Sequence, residues 1–534
     1  MLPACITGIA CLAFGFWVLE NEMRRRRVKG FPMVADVDTP VEDIDVDTPV
    51  EDAHHKHGID VDTPVEDAHH KHGIDVDTHI DVDIHLEERK DRISKLPDDV
   101  ISLIVSRLHT IDVVRMSILS RRWKHVYTFV SEVRFSCLRM CPLSLCYKFE
   151  GEKLSELKRK FVQSVDSFLE HHSGSRITSF ELVCCFRGCI LDSFRRWMDS
   201  ICRLGVDRLI VRYCSSPNCV ERNPPVFSSD FLPGPSAVKH IYLVGGSFQI
   251  LSQTALEDID LTGVAFTSEA VECILLNCCN LQSLKFKFCV LPSKLHIHGP
   301  DLQLKTLTVL YCSEVAEIDL SAINLTTFEL YTFRMTTLTF SNVPLLQTMF
   351  VTKVAPCVFE KAAKDLPNLK FMHFWTDARL FEAFEIGGVN KLRHLRQLAL
   401  FLDQQNELDL LALATILDVC PLLHKLQVSM GQLSTFNGKG AEKRVVRHHT
   451  KLKEVEFSGF SGTENEYNFI LCVLANGVSL ERLSIFLEVR QYHVNVGRWQ
   501  RLIGNQGYFK LTLRSIREWL QGKAISKNVE ILIV

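Results

Sequence analysis

At 534 residues the chain is too long for one ordinary compact core, so it is built either of several domains or of a repeat that grows by addition. Its 46% apolar and 23% charged residues describe a chain folded in bulk, and a net charge of −3 excludes a protein that gathers nucleic acid or an anionic membrane by bulk electrostatics. The 19 cysteines are dilute, sometimes adjacent as in Cys184-Cys185 and Cys278-Cys279, and set in apolar strands, which reads as reduced, buried thiols rather than a disulfide framework.

Residues 1–23 form an apolar opening segment. Met1 to Leu19 carry no charge and reach about the minimum length for crossing a bilayer, with Glu20 and the basic run Arg24 to Arg27 behind them. A secretory signal carries its positive charge in front, so export is not expected; basic residues behind the stretch would hold everything after Arg24 in the cytosol. Two readings stay open: a membrane anchor through residues 1–19, and an N-terminal extension ahead of Met23 with no structural role, which is the simpler. Residues 24–90 form an acidic linker in which the unit DVDTPVEDAHHKHGI occurs twice, Asp45 to Ile59 and Asp60 to Ile74. Single valines among carboxylates and a recurring proline cannot offset the entropy of ordering, so this region is predicted to be disordered. Its histidines, such as His54, His55 and His57, are read as solvated rather than as a metal site.

Order is predicted from Asp91. Pro97 opens a helix with Asp98 and Asp99 in its first turn, and Val100, Ile101, Ile104 and Leu108 fall on one stripe. Asp112 is placed to cap a second helix with Val113, Val114 and Ile118, and Ser120 a third with Trp123 and Val126. A bundle this small wants a partner. Leu96-Pro97-Asp98, the aliphatic helix, Arg115, Ser117-Ile118-Leu119-Ser120 and Arg121-Arg122-Trp123 together resemble the F-box. The resemblance implies docking on a Skp-type adaptor of an SCF (Skp–cullin–F-box) ubiquitin ligase, and through it on a cullin, with Leu96, Pro97, Ile101, Ile104, Leu108 and Trp123 at or near the contact. For Val114, Ile118 and Trp123 a place in the core is an equal alternative. His109, where the family has a second proline, and Ile111, where a basic residue is common, are departures expected to loosen adaptor binding.

The F-box is bounded at 91–135 and a connecting helical segment at 136–176, with Leu154, Leu157, Phe161, Val165 and Phe168 at helical spacing. Cys137, Cys141 and Cys146 match no common zinc spacing and lack a fourth ligand, so no metal is expected. Residues 177–490 carry apolar triplets at i, i+3 and i+5, from Ile177-Phe180-Leu182 to Leu480-Leu483-Ile485, about 18–32 residues apart. Several copies place cysteine at i+8 (Cys185, Cys214, Cys289, Cys312). Each unit offers one short strand whose apolar edge is buried only against the next unit. Ser215 to Pro235 is predicted to be an exposed loop, and residues 491–534 a C-terminal cap with a last helix and strand. The order of F-box and irregular repeats resembles plant F-box/LRR proteins. The expected fold is therefore α+β: a three-helix F-box, then a leucine-rich-repeat solenoid with a parallel concave sheet, behind a disordered N-terminal region.

No phosphate loop, Ser-His-Asp order, HExxH or paired carboxylate stands out, so neither catalysis nor a cofactor is expected. The resemblance implies a cytoplasmic or nuclear substrate receptor. A hormone-like small-molecule receptor and a repeat scaffold outside any ligase are the alternatives. By strand alternation i+4 and i+6 or i+7 face the concave surface, where Phe288, Tyr311, Tyr331, Phe350, Trp375 and Phe401, with Lys285, Lys287 and Lys353 nearby, make a candidate substrate face. The alternative is that the chain's own loops cover these rings.

Overall fold

The computed structural model of the protein describes residues 96–534 apart from 106, 109, 117–129, 138–151, 173–175, 185–188, 214–225, 233–236, 300, 355–356, 378–391, 404–409, 432–447, 494–497, 502–512 and 521–528. The chain divides into two units, Met1–Arg92 and Ile93–Val534. The apolar segment 1–23 and the linker 24–90 lie outside the described residues, as do Ser120, Trp123, Cys141, Cys146, Cys185 and Cys214.

The second unit opens with helices α1 (Asp98–Val105) and α2 (Thr110–Met116). Pro97 stands directly before α1 and its carbonyl accepts the Ile101 N–H at 3.0 Å. Asp98 and Asp99 lie in the first turn, where carboxylates favour the positive end of the helix dipole. The second helix begins three residues earlier than a cap at Asp112 would give, so Asp112 sits in its first turn instead of capping it.

Chain order continues with β1 (Glu132–Ser136), α3 (Glu152–His171), β2 (Ser179–Cys184), α4 (Cys189–Arg203), β3 (Arg208–Tyr213), β4 (Val226–Ser228), β5 (His240–Val244), β6 (Ser247–Gln249), β7 (Asp258–Thr262) and α5 (Ser268–Asn277). A stretch of strands follows: β8 (Ser283–Lys287), β9 (Lys294–His298), β10 (Thr306–Leu310), β11 (Glu317–Ser321), β12 (Thr327–Tyr331), β13 (Thr337–Asn342) and β14 (Thr348–Thr352). Helices then return, with α6 (Val358–Asp365), β15 (Phe371–Asp377), β16 (Gln397–Asp403), α7 (Leu410–Ala414), α8 (Ile416–Val419), β17 (Lys425–Met430) and β18 (Glu454–Ser458). The end of the chain carries α9 (Glu464–Asn476), β19 (Arg482–Phe486), β20 (Arg490–His493), β21 (Arg498–Arg501), α10 (Leu513–Leu520) and β22 (Glu530–Ile533).

Fifteen of these strands form one sheet in chain order, β1-β2-β3-β5-β7-β8-β10-β12-β14-β15-β16-β17-β18-β19-β22, and neighbours pair in parallel. This is the leucine-rich-repeat solenoid that the apolar triplets predict. Every triplet residue from Ile177 to Ile485 is at most 2% exposed. At about 1.5–3 kcal/mol of transfer free energy per buried large aliphatic side chain, three per turn supply the gross drive for stacking.

Three features differ from the sequence reading. The sheet begins at β1, inside the segment bounded as F-box, because Val130, Val133 and Phe135 repeat the same spacing and are buried; it ends at β22, inside the cap. Between β8 and β14 the returning segments are strands, and β9, β11 and β13 form a parallel sheet of their own in which Leu295, Ile297, Ile318, Leu320, Leu338 and Phe340 point inward. Ser215 to Pro235 is not simply an exposed loop, because Phe227 is fully buried, stacked 5.7 Å from Phe248 and edge-on to Phe194 and Phe231.

Candidate functional site

Helix α1 is apolar on two sides. Ile101 and Val105, four residues apart, face the core, and Ile101 is 1% exposed. Ile101, expected at or near the adaptor contact, is thus packed in the chain's own core. Leu96 and Leu108 are half-buried and pack on the same core. Pro97 and Ile104 are exposed, and Leu103, which the stripe 100-101-104-108 passed over, is 61% exposed; Val114 of α2 is exposed as well. An eight-residue helix with leucine and isoleucine turned to water beside its buried face is the arrangement expected of a small bundle completed by a partner.

The second candidate surface is the face of the fifteen-stranded sheet opposite the triplets. On strands β7 to β12 it carries paired charges. Lys287 Nζ lies 3.0 Å from Asp260 Oδ2, Lys285 Nζ lies 3.9 Å from Asp258, and the Thr308 hydroxyl donates to Glu329 Oε2 at 2.9 Å. Burial raises the carboxyl pKa values of Asp260 and Glu329 against the pull of the neighbouring lysines.

The rings follow. Leu310, Tyr331 and Phe350 form a small apolar cluster of their own, with Tyr311 and Trp375 packed against it. Phe288 stacks on Tyr311 at 4.9 Å and 8°, Tyr311 meets Tyr331 at 4.3 Å, Tyr331 meets Trp375 edge-on at 5.1 Å, and Trp375 meets Phe401 at 4.8 Å. The six expected aromatic residues are thereby brought together, but not as an open row. Tyr331, Phe350 and Phe401 are 8%, 2% and 3% exposed, while Phe288, Tyr311 and Trp375 are half-buried. The cause is strand spacing: neighbours about 4.8 Å apart force large side chains in register to shield one another. His373 stacks on Phe350 at 4.3 Å and burial pushes its pKa down to about 3. Trp375 Nε1 is buried and meets no acceptor among the described residues.

Toward the C-terminus the chain covers its own sheet. The Ser429 hydroxyl donates to the Arg490 carbonyl at 2.5 Å, Ser429 and Ser458 are buried, and the Arg490 guanidinium lies 4.1 Å from the Phe486 ring centre. The open apolar groups lie instead at the rim: Phe333 and Met335, in the turn after β12, are 61% and 55% exposed, and Phe333 is 5.5 Å from Tyr311. They sit beyond the strand, outside the i+4 to i+7 window, so alternation gave no signal for them.

Among the described cysteines Cys279 and Cys357 are exposed, while Cys137, Cys184, Cys278, Cys289, Cys312 and Cys420 are buried. Burial pushes Cys278 and Cys420 up to about 11 and 12, and Cys289 and Cys312, at the i+8 position, are buried. Among the described residues no group of His, Cys, Asp or Glu is arranged to hold a metal, and no helix is long and apolar enough to cross a membrane.

A family model described as At1g61320/AtMIF1, LRR domain, matches residues 168–502, more than half of the chain, and an F-box domain model matches 93–126. The chain is similar to three Arabidopsis thaliana proteins. It is 28% identical to F-box/LRR-repeat protein 25 over 211 residues, which is 38% of this chain and 70% of that protein. It is 26% identical to putative F-box protein At1g67390 over 348 residues, 61% of this chain and 67% of the other. It is 26% identical to F-box/FBD/LRR-repeat protein At5g56420 over 239 residues, 43% and 51% of the two chains.

Proposed function

Because the chain belongs to the At1g61320/AtMIF1-type leucine-rich-repeat family and carries an F-box domain, we propose that it is the substrate-receiving subunit of an SCF-type ubiquitin ligase. The observation that carries the reading is the two-sided helix α1, whose inner residues Ile101 and Val105 complete the core while Pro97, Leu103 and Ile104 remain at the surface for a Skp-type adaptor. Leu96 and Leu108, half-buried, border that surface, and the resemblance to the F-box adds Trp123 to the contact. The repeats receive a substrate protein. Ubiquitin transfer needs no chemistry on this chain: holding a substrate lysine beside a charged conjugating enzyme raises its effective concentration, and the thioester chemistry belongs to other subunits. Cullin is reached through the adaptor, in the cytoplasm or nucleus.

The test is capture of a Skp-type adaptor and a cullin by the tagged full chain, beside a Leu103→Glu/Ile104→Glu variant. Capture by the native chain and its loss in a variant of unchanged melting temperature is the expected result. A native chain that brings down neither partner would end the ligase reading.

A further inference from the structure

In five repeats position i+7 is a left-handed residue whose N–H donates to the carbonyl at i+6 of the following strand. Gly245 (φ 76°) donates to Thr262, Gly263 (φ 69°) to Lys287, Phe288 (φ 52°) to Leu310, Tyr311 (φ 56°) to Tyr331 and Lys353 (φ 48°) to Trp375. Glycine adopts this conformation freely, whereas a side chain with a Cβ is strained there. In two consecutive repeats the strain is accepted for an aromatic ring, and the two rings stack face to face at 4.9 Å.

Beside them the Thr332–Thr336 turn presents Phe333, 5.5 Å from Tyr311 and 5.9 Å from Tyr331, and Met335. The turn is pinned at both ends: the Thr332 N–H donates to Thr352 Oγ1 at 2.8 Å, the Thr336 N–H donates to the Lys353 carbonyl at 2.9 Å, and both threonines are buried. Its exposed side chains are therefore held by a fixed backbone, so ordering it on binding costs little further entropy.

We infer that Phe288, Tyr311, Phe333 and Met335 form a rim shelf that takes an uncharged aromatic or large aliphatic side chain from a segment of the substrate protein, a reading that rests on the substrate-receptor function proposed above. Charge argues for that occupant. Among the described residues around the shelf Lys287 pairs with Asp260 at 3.0 Å, Lys285 with Asp258 at 3.9 Å and Arg334 with Glu314 at 3.7 Å, and Lys353 and Glu329 add one charge of each sign, so neither sign is in excess to select an acidic or basic motif. A raised, open turn suits an inserted protein side chain better than a small molecule, which needs most of its surface enclosed.

The test selects a phage-displayed library of random peptides on the full chain, and measures the recovered peptides against the native chain and against Phe333→Ser/Met335→Ser. Enrichment of tryptophan, phenylalanine and leucine without a consistent charge is expected. Affinity should fall tenfold or more in the double variant, with recovery in Phe333→Trp and with melting temperature and adaptor capture unchanged. No enrichment, a charged consensus, or undiminished binding by the double variant would overturn the shelf. So would a native dimer, seen by light scattering, that the double variant dissolves, because the shelf would then be a self-contact. Selection does not need the adaptor, so lost adaptor capture by the native chain would strike the ligase reading alone, and failed peptide selection the shelf alone.

Discussion

The Thr110 hydroxyl accepts the main-chain N–H of Arg134 at 2.7 Å, which joins the start of α2 to the first strand of the repeat sheet. Arg134 belongs to an edge strand, and an edge N–H otherwise invites another chain. Thr110 is buried, so the bond also sets the F-box helices against the repeat sheet.

Thr110→Val removes that acceptor and leaves a part-buried N–H without one. It should destabilise the protein by about 1–3 kcal/mol. Amide exchange at Arg134 should quicken at least tenfold, while Thr110→Ser, which retains the oxygen, stays near the native rate. An unchanged Arg134 exchange rate in the valine variant would remove the hydroxyl from any joining role.

The two sides of α1 should separate in mutagenesis. Ile101→Ala empties a core position and should cost about 2–4 kcal/mol of stability, lowering adaptor capture only as far as the fold is lost. Leu103→Glu acts on a side chain 61% exposed and should leave the melting temperature within a degree or two while cutting adaptor capture at least tenfold. Denaturant melts beside adaptor titrations decide the matter; equal capture by native and Leu103→Glu chains would return the contact to Leu96, Pro97 and Leu108.

What was legible in the sequence was whatever repeats. Leu304-Leu307-Val309 and its relatives announce a strand because one apolar spacing recurs, and each such residue is buried. The first strand escaped because Val130-Val133-Phe135 has the spacing but abuts the F-box motif. The last strand, Glu530–Ile533, falls where a final strand is expected, but Asn528 stands where the first apolar residue belongs, so it does not read as a further repeat. The aromatic positions were legible as positions, since alternation alone turns Tyr331 and Trp375 away from the core. Their exposure was not, because shielding depends on which rings meet across strands, and Phe350 on His373 is a contact between residues 23 apart in sequence. Phe333 stayed hidden because a turn has no period.

His373 gives the sheet face a pH signature. Its pKa is pushed down to about 3 by burial from an ordinary value near 6.5, so the folded protein holds it neutral while the unfolded chain protonates it below that value. The unfolded state then binds more protons, and stability present above pH 6.5 is lost as pH falls toward 3, by at most about 1.4 kcal/mol per pH unit from this group. Comparing the native chain with His373→Leu isolates the contribution from other acid-titrating groups. Between pH 6 and 4 the variant should lose stability less steeply; parallel curves would mean that His373 is protonated in the fold.

Two glycines at the same repeat position should respond differently to one added methyl. Gly263 (φ 69°) and Gly459 (φ 76°) both lie at i+7 in the left-handed region, so alanine at either carries a backbone cost of about 1 kcal/mol. Around Gly263 a Cβ would meet only the Gly245 nitrogen at 4.0 Å, an ordinary van der Waals contact. Around Gly459 it would fall 2.5 Å from the Met430 carbonyl oxygen and 3.3 Å from Val489, so one backbone must move away from another. That contact lies where the Gly459 N–H donates to the Glu488 carbonyl at 3.0 Å and the Phe460 N–H donates to the Phe486 carbonyl at 3.1 Å, under the segment leading to Arg490, which covers Ser429. Gly459→Ala should therefore cost about 2–4 kcal/mol and lift that segment from the sheet, which limited proteolysis should report as faster cleavage between Leu487 and Arg501. Gly263→Ala should lose about 1 kcal/mol with no new cleavage there. Equal losses in the two variants, with cleavage unchanged, would mean that the Met430 carbonyl yields without disturbing the covering segment.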